Sequence, residues 1–424
     1  MSKLEQLINE LCPDGVEFVK LEEVILSLKT GLNPRKNFIL NTENAQNYYV
    51  TVREIIDGKI VFLDKTDRVD DDALLLINNR SNLEMGDVLF SGTGTVGRVA
   101  VVEEHPVNWN IKEGVYVIKP NHETITSKYL AYVMGASSTI ERYKIKIVGS
   151  PVCSLPMVEL RKLSIPLPPL LIQEEIVRIL DNFTELTAEL TAELTAELTA
   201  RKKQYEYYLN SLMEYDETSV KHLSVGELFE IKNGLNKEKG AFGKGHPIIN
   251  FTDVYNNRWL AKGIFKGQVE VNESEIERYS AKKGDVFFTR TSETKEDIGM
   301  ATTLIEDVPN CVYSGFVLRA RPITDLLVPK FCAYFFSIEK VRKNIVRYAY
   351  FTTRATTTGP KLSKIMVPIL PIEKQERIVS ILDRFDALCN DISSGLPAEI
   401  NARKKQYEYY RDKLLTFPKA ELEV

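Results

Sequence analysis

TAELTAELTAEL fills residues 187–198, three uninterrupted copies of one four-residue unit. A degenerate copy, TEL, precedes it at 184–186, and RKKQYEYY follows at 201–208. Ala, Glu and Leu are strong helix formers, and no Gly or Pro breaks the run. Leucines fall at 186, 190, 194 and 198, a spacing that drifts slowly around a helix. Upstream, Ile172, Ile176, Ile179, Phe183, Leu186 and Leu190 alternate spacings of four and three, as in a heptad seam. Downstream the apolar face resumes at Tyr205, Tyr208 and Leu212. The pattern predicts one long amphipathic helix over 170–214 that needs a partner helix. A solvated low-complexity linker is the alternative, and the periodicity of both flanks argues against it.

The partner emerges from an internal repeat. ARKKQYEYY stands at 200–208 and again at 402–410, an offset of 202 residues. At that same offset Pro166, Pro169, Gln173 and Glu174 match Pro368, Pro371, Gln375 and Glu376. Ile176, Val177, Ile179, Leu180, Asp181 and Phe183 match Ile378, Val379, Ile381, Leu382, Asp383 and Phe385. The chain is therefore a tandem duplication, with a globular half and a long helix in each copy. The shared stripe predicts that Phe183, Leu186, Leu190 and Leu194 pack against Phe385, Leu388, Ile392 and Leu396 in an antiparallel pair. Gly395 and Pro397 replace Glu193 and Thr195, so the second helix should break there and restart.

A length of 424 residues allows two or three domains, each with its own core. No apolar run approaches the ~18 residues that span a membrane, and the first residues, Met1-Ser2-Lys3, do not open a signal peptide. The five cysteines are scattered and include no CxxC pair. That pattern points to a reducing, cytoplasmic setting, without a disulfide framework or a zinc site. A net charge of −4 would argue weakly for a nucleic-acid partner only if charge were spread evenly, and it is not.

Residues 1–20 read as a polar lead-in with a turn at Pro13-Asp14-Gly15. Candidate strands lie at 48–52, 59–63, 87–90, 99–102 and 114–118, with helices at 127–134 and 137–143. The second half repeats this order. Gly31 and Asn33 correspond to Gly234 and Asn236, Gly86 to Gly284, and Lys128 and Tyr132 to Lys330 and Tyr334. Elsewhere the α/β globules diverge, as two readers of two different targets would. Gly92, Gly94 and Gly97 satisfy the dinucleotide fingerprint G-x-G-x-x-G, which requires a helix to start at the glycines. The next residues, Val99 to Val102, are mostly β-branched, and the other half lacks the first two glycines, so the segment reads as a hairpin turn.

Basic, aromatic and hydroxyl-rich stretches recur at matching places, 141–150 and 340–359, with further basic loops at 33–37 and 236–244. Lys and Arg neutralise phosphates, Arg forks onto guanine edges, and Ser or Thr donates to either. The candidate DNA-binding residues are Arg35, Lys36, Lys144, Lys146, Ser150, Lys237, Lys244, Arg290, Arg347, Arg354 and Thr357. Any single charge run is more simply a solvated face; four runs in duplicate positions favour binding. Motifs for amino-methyl transfer, a phosphate-binding GxxxxGK[ST] loop and HExxH are missing. Carboxylates show no site-like clustering, which spacing alone leaves compatible with a nuclease.

The TAEL run, the paired Pro…Gln-Glu-x-Ile-Val-x-Ile-Leu-Asp segments and the duplicated RKKQYEYY resemble the specificity subunits of type I restriction-modification systems. The resemblance covers the whole chain as an architecture, with its specific motifs in the helical regions. It implies tandemly duplicated α/β (α+β) recognition domains separated by two long helices in an antiparallel coiled-coil spacer. The corresponding boundaries are 1–165 and 216–367 for the recognition domains, and 166–215 and 368–424 for the spacer helices. It further implies double-stranded DNA, two methyltransferase (M) subunits and motor-nuclease (R) subunits as partners, with no membrane. The chain itself would be non-catalytic and hold no cofactor; S-adenosylmethionine, ATP and Mg²⁺ would belong to the partners. The number of TAEL units would set the gap between two half-targets. A coiled-coil adaptor whose globules bind protein is the alternative, as is a self-sufficient methyltransferase or nuclease.

Overall fold

The computed structural model describes residues 2–35, 37–215, 220–390 and 394–420. Leu170–Ser211 is a single helix of 42 residues, about 63 Å long at 1.5 Å per residue. Its start is latched by Gln173, which is fully buried. The Gln173 amide donates to the carbonyls of Thr124 and Pro168, both at 2.8 Å, and its oxygen accepts the Thr126 N–H at 3.0 Å. Gln375 does the same in the second copy, donating to Leu326 and Leu370 and accepting from Val328. Two turns on, Asp181 accepts from Lys128 and Tyr132, and Asp383 from Lys330 and Tyr334. The repeated Gln, Asp, Lys and Tyr thus form a latch between each helix and the globule preceding it.

Burial corrects the expected seam. Ile172, Ile176 and Leu180, spaced by four, are fully buried among Tyr129, Leu130 and Val133 of the globule. Phe183 and Leu186 remain 38% and 64% exposed. Spacings of four place these residues on one side of the helix, where the globule covers them. The first part of the stripe therefore serves the core of the globule.

The second helical region runs Ile372–Asn390 and resumes as Leu396–Leu414, with Pro397 in the first turn, where its missing N–H costs nothing. Two compact units result, Met1–Glu193 with Ile400–Val424, and Leu194–Glu399. These divisions cut through both helical regions instead of at 165 and 367. Leu415 and Phe417 complete the core of the first unit. Tyr205, Leu209 and Met213 complete that of the second.

Inside each unit the helical segments pack through reciprocal aromatic contacts. Phe183 stacks on Tyr410, and Phe385 on Tyr208. This differs from the Phe-to-Phe apposition that the shared stripe predicts. The tyrosines of the ARKKQYEYY copies supply the flat partners. Leu388 is exposed, Leu190 and Leu194 are half-buried, Leu396 is buried, and Ile392 lies outside the described residues.

The first unit carries an antiparallel sheet in the order Ile25–Thr30, Val115–Pro120, Val88–Ser91, Val99–Val101. The second repeats that order as Phe229–Asn233, Val317–Pro322, Val286–Thr289, Ala301–Leu304, then adds Trp259–Leu260 in parallel. Every residue of Val88–Ser91 and of Val286–Thr289 is buried, as central strands covered on both faces should be. Gly92 to Gly97 form the hairpin between Val88–Ser91 and Val99–Val101, with positive φ at Gly94 and Gly97. No helix starts at these glycines, so the dinucleotide reading falls. Several helices among the described residues escaped the sequence reading, and two of them lie in the first unit near its start and its middle. Lys3–Leu11 begins with a capping box between Ser2 and Glu5 in place of a polar lead-in, and Asp71–Ser81 is capped by Asp70.

Candidate nucleic-acid interface

In both units the central strand ends at a loop that a second segment crosses. In the first, Thr93 bridges Ser154, Ser154 bridges Val148, and the Leu155 N–H donates to the Gly92 carbonyl at 2.8 Å. In the second, Thr291 pairs with Thr356, Thr356 with Tyr350, and the Thr357 N–H donates to the Arg290 carbonyl at 3.0 Å. One backbone frame is therefore built twice. Thr93 and Thr291 occupy the same place in it, and Ser154 and Thr356 another, but the side chains around them differ. Gly92 corresponds to Arg290, Leu155 to Thr357, Val148 to Tyr350, and Gly149 to Phe351.

The frame gathers part of the expected set. Arg290 and Thr357 line one cavity of about 350 Å³ with Asn236, Thr356 and Phe316. Arg347 lines a second, of about 550 Å³, with Lys295, Arg342 and Lys343. Arg342 is pinned there, its guanidinium donating to the carbonyls of Glu296, Ile298 and Gly299. Arg354, Tyr350 and Phe351 are exposed on the crossing segment, and the Lys361 ammonium sits over the Tyr350 ring. Cations among exposed aromatic rings suit a nucleic acid, offering charge to phosphates and faces to bases.

In the first unit Lys144, Lys146 and Ser150 are exposed around the equivalent segment, beside the exposed Ile145 and Val148. Other expected residues are engaged. Lys146 pairs with Glu159 at 3.4 Å, Lys237 with Glu275 at 2.7 Å, and Lys244 with Glu270 at 3.0 Å. The Lys237 ammonium holds the Glu275 carboxyl below its usual range. Such lysines must exchange partners before they can meet a phosphate. Arg35 is exposed in a left-handed turn with φ 27°, and Lys36 lies outside the described residues. Sequence reasoning missed Phe316 and Lys295. Phe316 follows Gly315, and an aromatic residue beside a turn glycine was the available signal.

The model of the family described as type I restriction modification DNA specificity domain matches residues 13–200 and again 218–402. The chain belongs to this family. It is 34% identical to the EcoR124I/EcoR124II specificity subunit of Escherichia coli over 291 residues, 62% of this chain and 64% of that relative. The alignment thus spans less than two thirds of that relative's length. A Haemophilus influenzae protein assigned as a type I restriction enzyme specificity subunit is 30% identical over 337 residues, 75% of this chain and 80% of the relative. Among solved structures, a chain from a study of complex assembly and conformational transition in a type I R-M system superposes with a TM-score of 0.67 at 18% identity, covering 95% of this chain and 98% of that one. The HsdS subunit of Thermoanaerobacter tengcongensis gives 0.52 at 17% identity, covering 96% of each. The fold is that of tandem specificity domains, and the two family matches coincide with the two copies of the 202-residue repeat. Among the described residues no helix is long and apolar enough to cross a membrane.

Proposed function

We propose that this specificity-domain chain is the DNA-reading subunit of a type I restriction-modification complex. Each unit reads one half of a split double-stranded target, and the helices dock two methyltransferase (M) subunits and motor-nuclease (R) subunits. Methylation and cleavage reside in those partners, which bring S-adenosylmethionine, ATP and Mg²⁺, and the assembly works in the cytoplasm. The observation that carries this reading is the duplicated frame with unlike side chains. A common scaffold displaying Gly92 and Leu155 in one unit, and Arg290 and Thr357 in the other, suits two readers of two sequences. A protein-binding adaptor would have no need of the exposed cations Lys144, Arg347 and Arg354 around that frame. The test is methylome sequencing of a host expressing this chain with its M subunit. A bipartite methylated motif is expected. No sequence-dependent methylation, with DNA affinity insensitive to salt, would favour the adaptor.

A further inference from the structure

We infer that the cavity holding Arg290 is a guanine-reading site, so that the second unit recognises a guanine through a contact the first unit has no means to make. The inference rests on the DNA reading proposed above. Arg290 follows the buried central strand Val286–Thr289, and its backbone is fixed on two sides, by its N–H to the Phe316 carbonyl at 3.0 Å and its carbonyl to the Thr357 N–H at 3.0 Å. Its guanidinium, by contrast, is almost unspent. Among the described residues its side chain makes one long contact, 3.4 Å to the Gly315 carbonyl, and no ion pair. A guanidinium has five N–H donors in a planar fork, and the O6 and N7 of guanine match that fork.

The surroundings favour a base over a phosphate. Phe316, on the same cavity, leaves 65% of its surface exposed. An apolar ring has nothing to offer a phosphate, but it packs against a base or a thymine methyl. Thr357 is 1% exposed and lines the same cavity, and its hydroxyl has no partner among the described residues. A buried hydroxyl without a partner is costly, and a ligand that satisfies it recovers that cost.

The first unit explains why the site is not duplicated. At Gly92 an added Cβ would lie 2.1 Å from the Tyr116 ring, so that ring occupies the space a side chain would need. Tyr116 is itself fixed, donating its hydroxyl to the Leu155 carbonyl at 2.7 Å. The residue at the place of Tyr116 in the second unit is Leu318, which is shorter and lacks the hydroxyl. The exchange of Tyr and Gly for Leu and Arg is therefore coupled.

The test uses the full chain in its complex with M subunits, challenged with DNA randomised across both half-targets. Wild type is compared with Arg290→Ala and Arg290→Lys, with folding checked by melting. Arg290→Ala should lower the preference for guanine at one position of one half-target by about tenfold or more, leaving the other half-target unchanged. Arg290→Lys should keep affinity and reduce the preference at that one position, because an ammonium still donates to O6 and N7 but lacks the planar fork; a reduction confined to that position also decides the question if Arg290→Ala does not fold. Uniform weakening on all sequences, with the salt slope reduced by about one, would make Arg290 a phosphate contact and overturn the inference while leaving the DNA reading intact. Unchanged selection, or a changed preference at a base other than guanine, would also overturn it. A wild-type complex that selects no sequence would sink the DNA reading itself.

Discussion

Phe183 stacks on Tyr410 with ring centroids 5.7 Å apart and planes 28° from parallel, and the internal repeat reproduces that stack as Phe385 on Tyr208, at 5.2 Å and 29°. Each unit thus holds one copy of the same contact, with the phenylalanine and tyrosine drawn from opposite helical regions. The supports beneath the two stacks differ. In the first unit the hydroxyls of Tyr132, Thr184 and Tyr407 form a relay that starts at the Asp181 carboxylate. In the second, the Arg258 guanidinium lies between the rings of Tyr205 and Tyr334 and pairs with Asp386 at 3.4 Å.

Double-mutant cycles should find both stacks. Phe385→Ala with Tyr208→Ala should show a coupling of about 0.5–1.5 kcal/mol, and Phe183→Ala with Tyr410→Ala a value near the lower limit, since Phe183 is partly exposed. Denaturant titration reads both cycles. Additive single-mutant effects would mean that the rings meet without stabilising anything.

The latch glutamines should matter more than the rings. Gln375→Leu keeps the apolar stem but strands the Val328 N–H and the carbonyls of Leu326 and Leu370. A buried group left without its partner costs about 1–3 kcal/mol, so a loss of several kcal/mol is expected, and a similar one for Gln173→Leu. Chemical denaturation measures it. A loss below one stack's worth would show that water replaces the amide at these sites.

Acid should loosen the first unit at Glu175. Hydrogen bonds from Arg178 at 2.6 Å and Lys3 at 2.8 Å hold its carboxyl down from the ordinary 4.5 to about 2. A carboxylate with a depressed folded pKa contributes stability that is fully present above its unfolded value and lost as pH falls through the folded one. The window therefore runs from 4.5 down to about 2. The melting temperature of Glu175→Gln should lie below wild type above about pH 5, with the gap closing as pH falls through that window. A gap independent of pH would assign the effect to packing.

The latch was legible because each of its members recurs at one offset, Gln173 with Gln375 and Asp181 with Asp383. The ring partners were not. A repeat aligns equivalent residues, so it draws Phe183 toward Phe385, whereas the packing exchanges copies and brings Phe183 to Tyr410. Arg290 and Thr357 were each legible as DNA-binding chemistry from residue type. Their meeting in one cavity depends on strand pairing across 67 residues of sequence, which periodicity does not encode. Asp71–Ser81 was hidden for a different reason. Its run Leu74, Leu75, Leu76 buries only the first, so the exposed Leu75 and Leu76 blur the stripe of Ala73, Leu74 and Ile77 that faces the core.

Removal of one TAEL unit, residues 191–194, should shorten the gap between the half-targets by one base pair. Leu170–Ser211 is continuous through this run, so the deletion acts on one unbroken helix. Four residues fewer shorten it by ~6 Å and turn everything beyond by about 40° past a full turn. One base pair of DNA rises ~3.4 Å and turns roughly 35°. The rotation matches one base pair in the same right-handed sense, while the rise lies nearer two. Azimuth should decide, because a recognition surface turned away from its groove loses every base contact. An axial misfit of ~2–3 Å can be absorbed by tilt or by bending the DNA, at a few kcal/mol. Methylome sequencing of a host carrying the deleted chain reads both half-targets and the gap. Intact half-targets with the gap one shorter are expected. An unchanged gap, or altered half-target sequences, would rule out the helix as the measure of spacing.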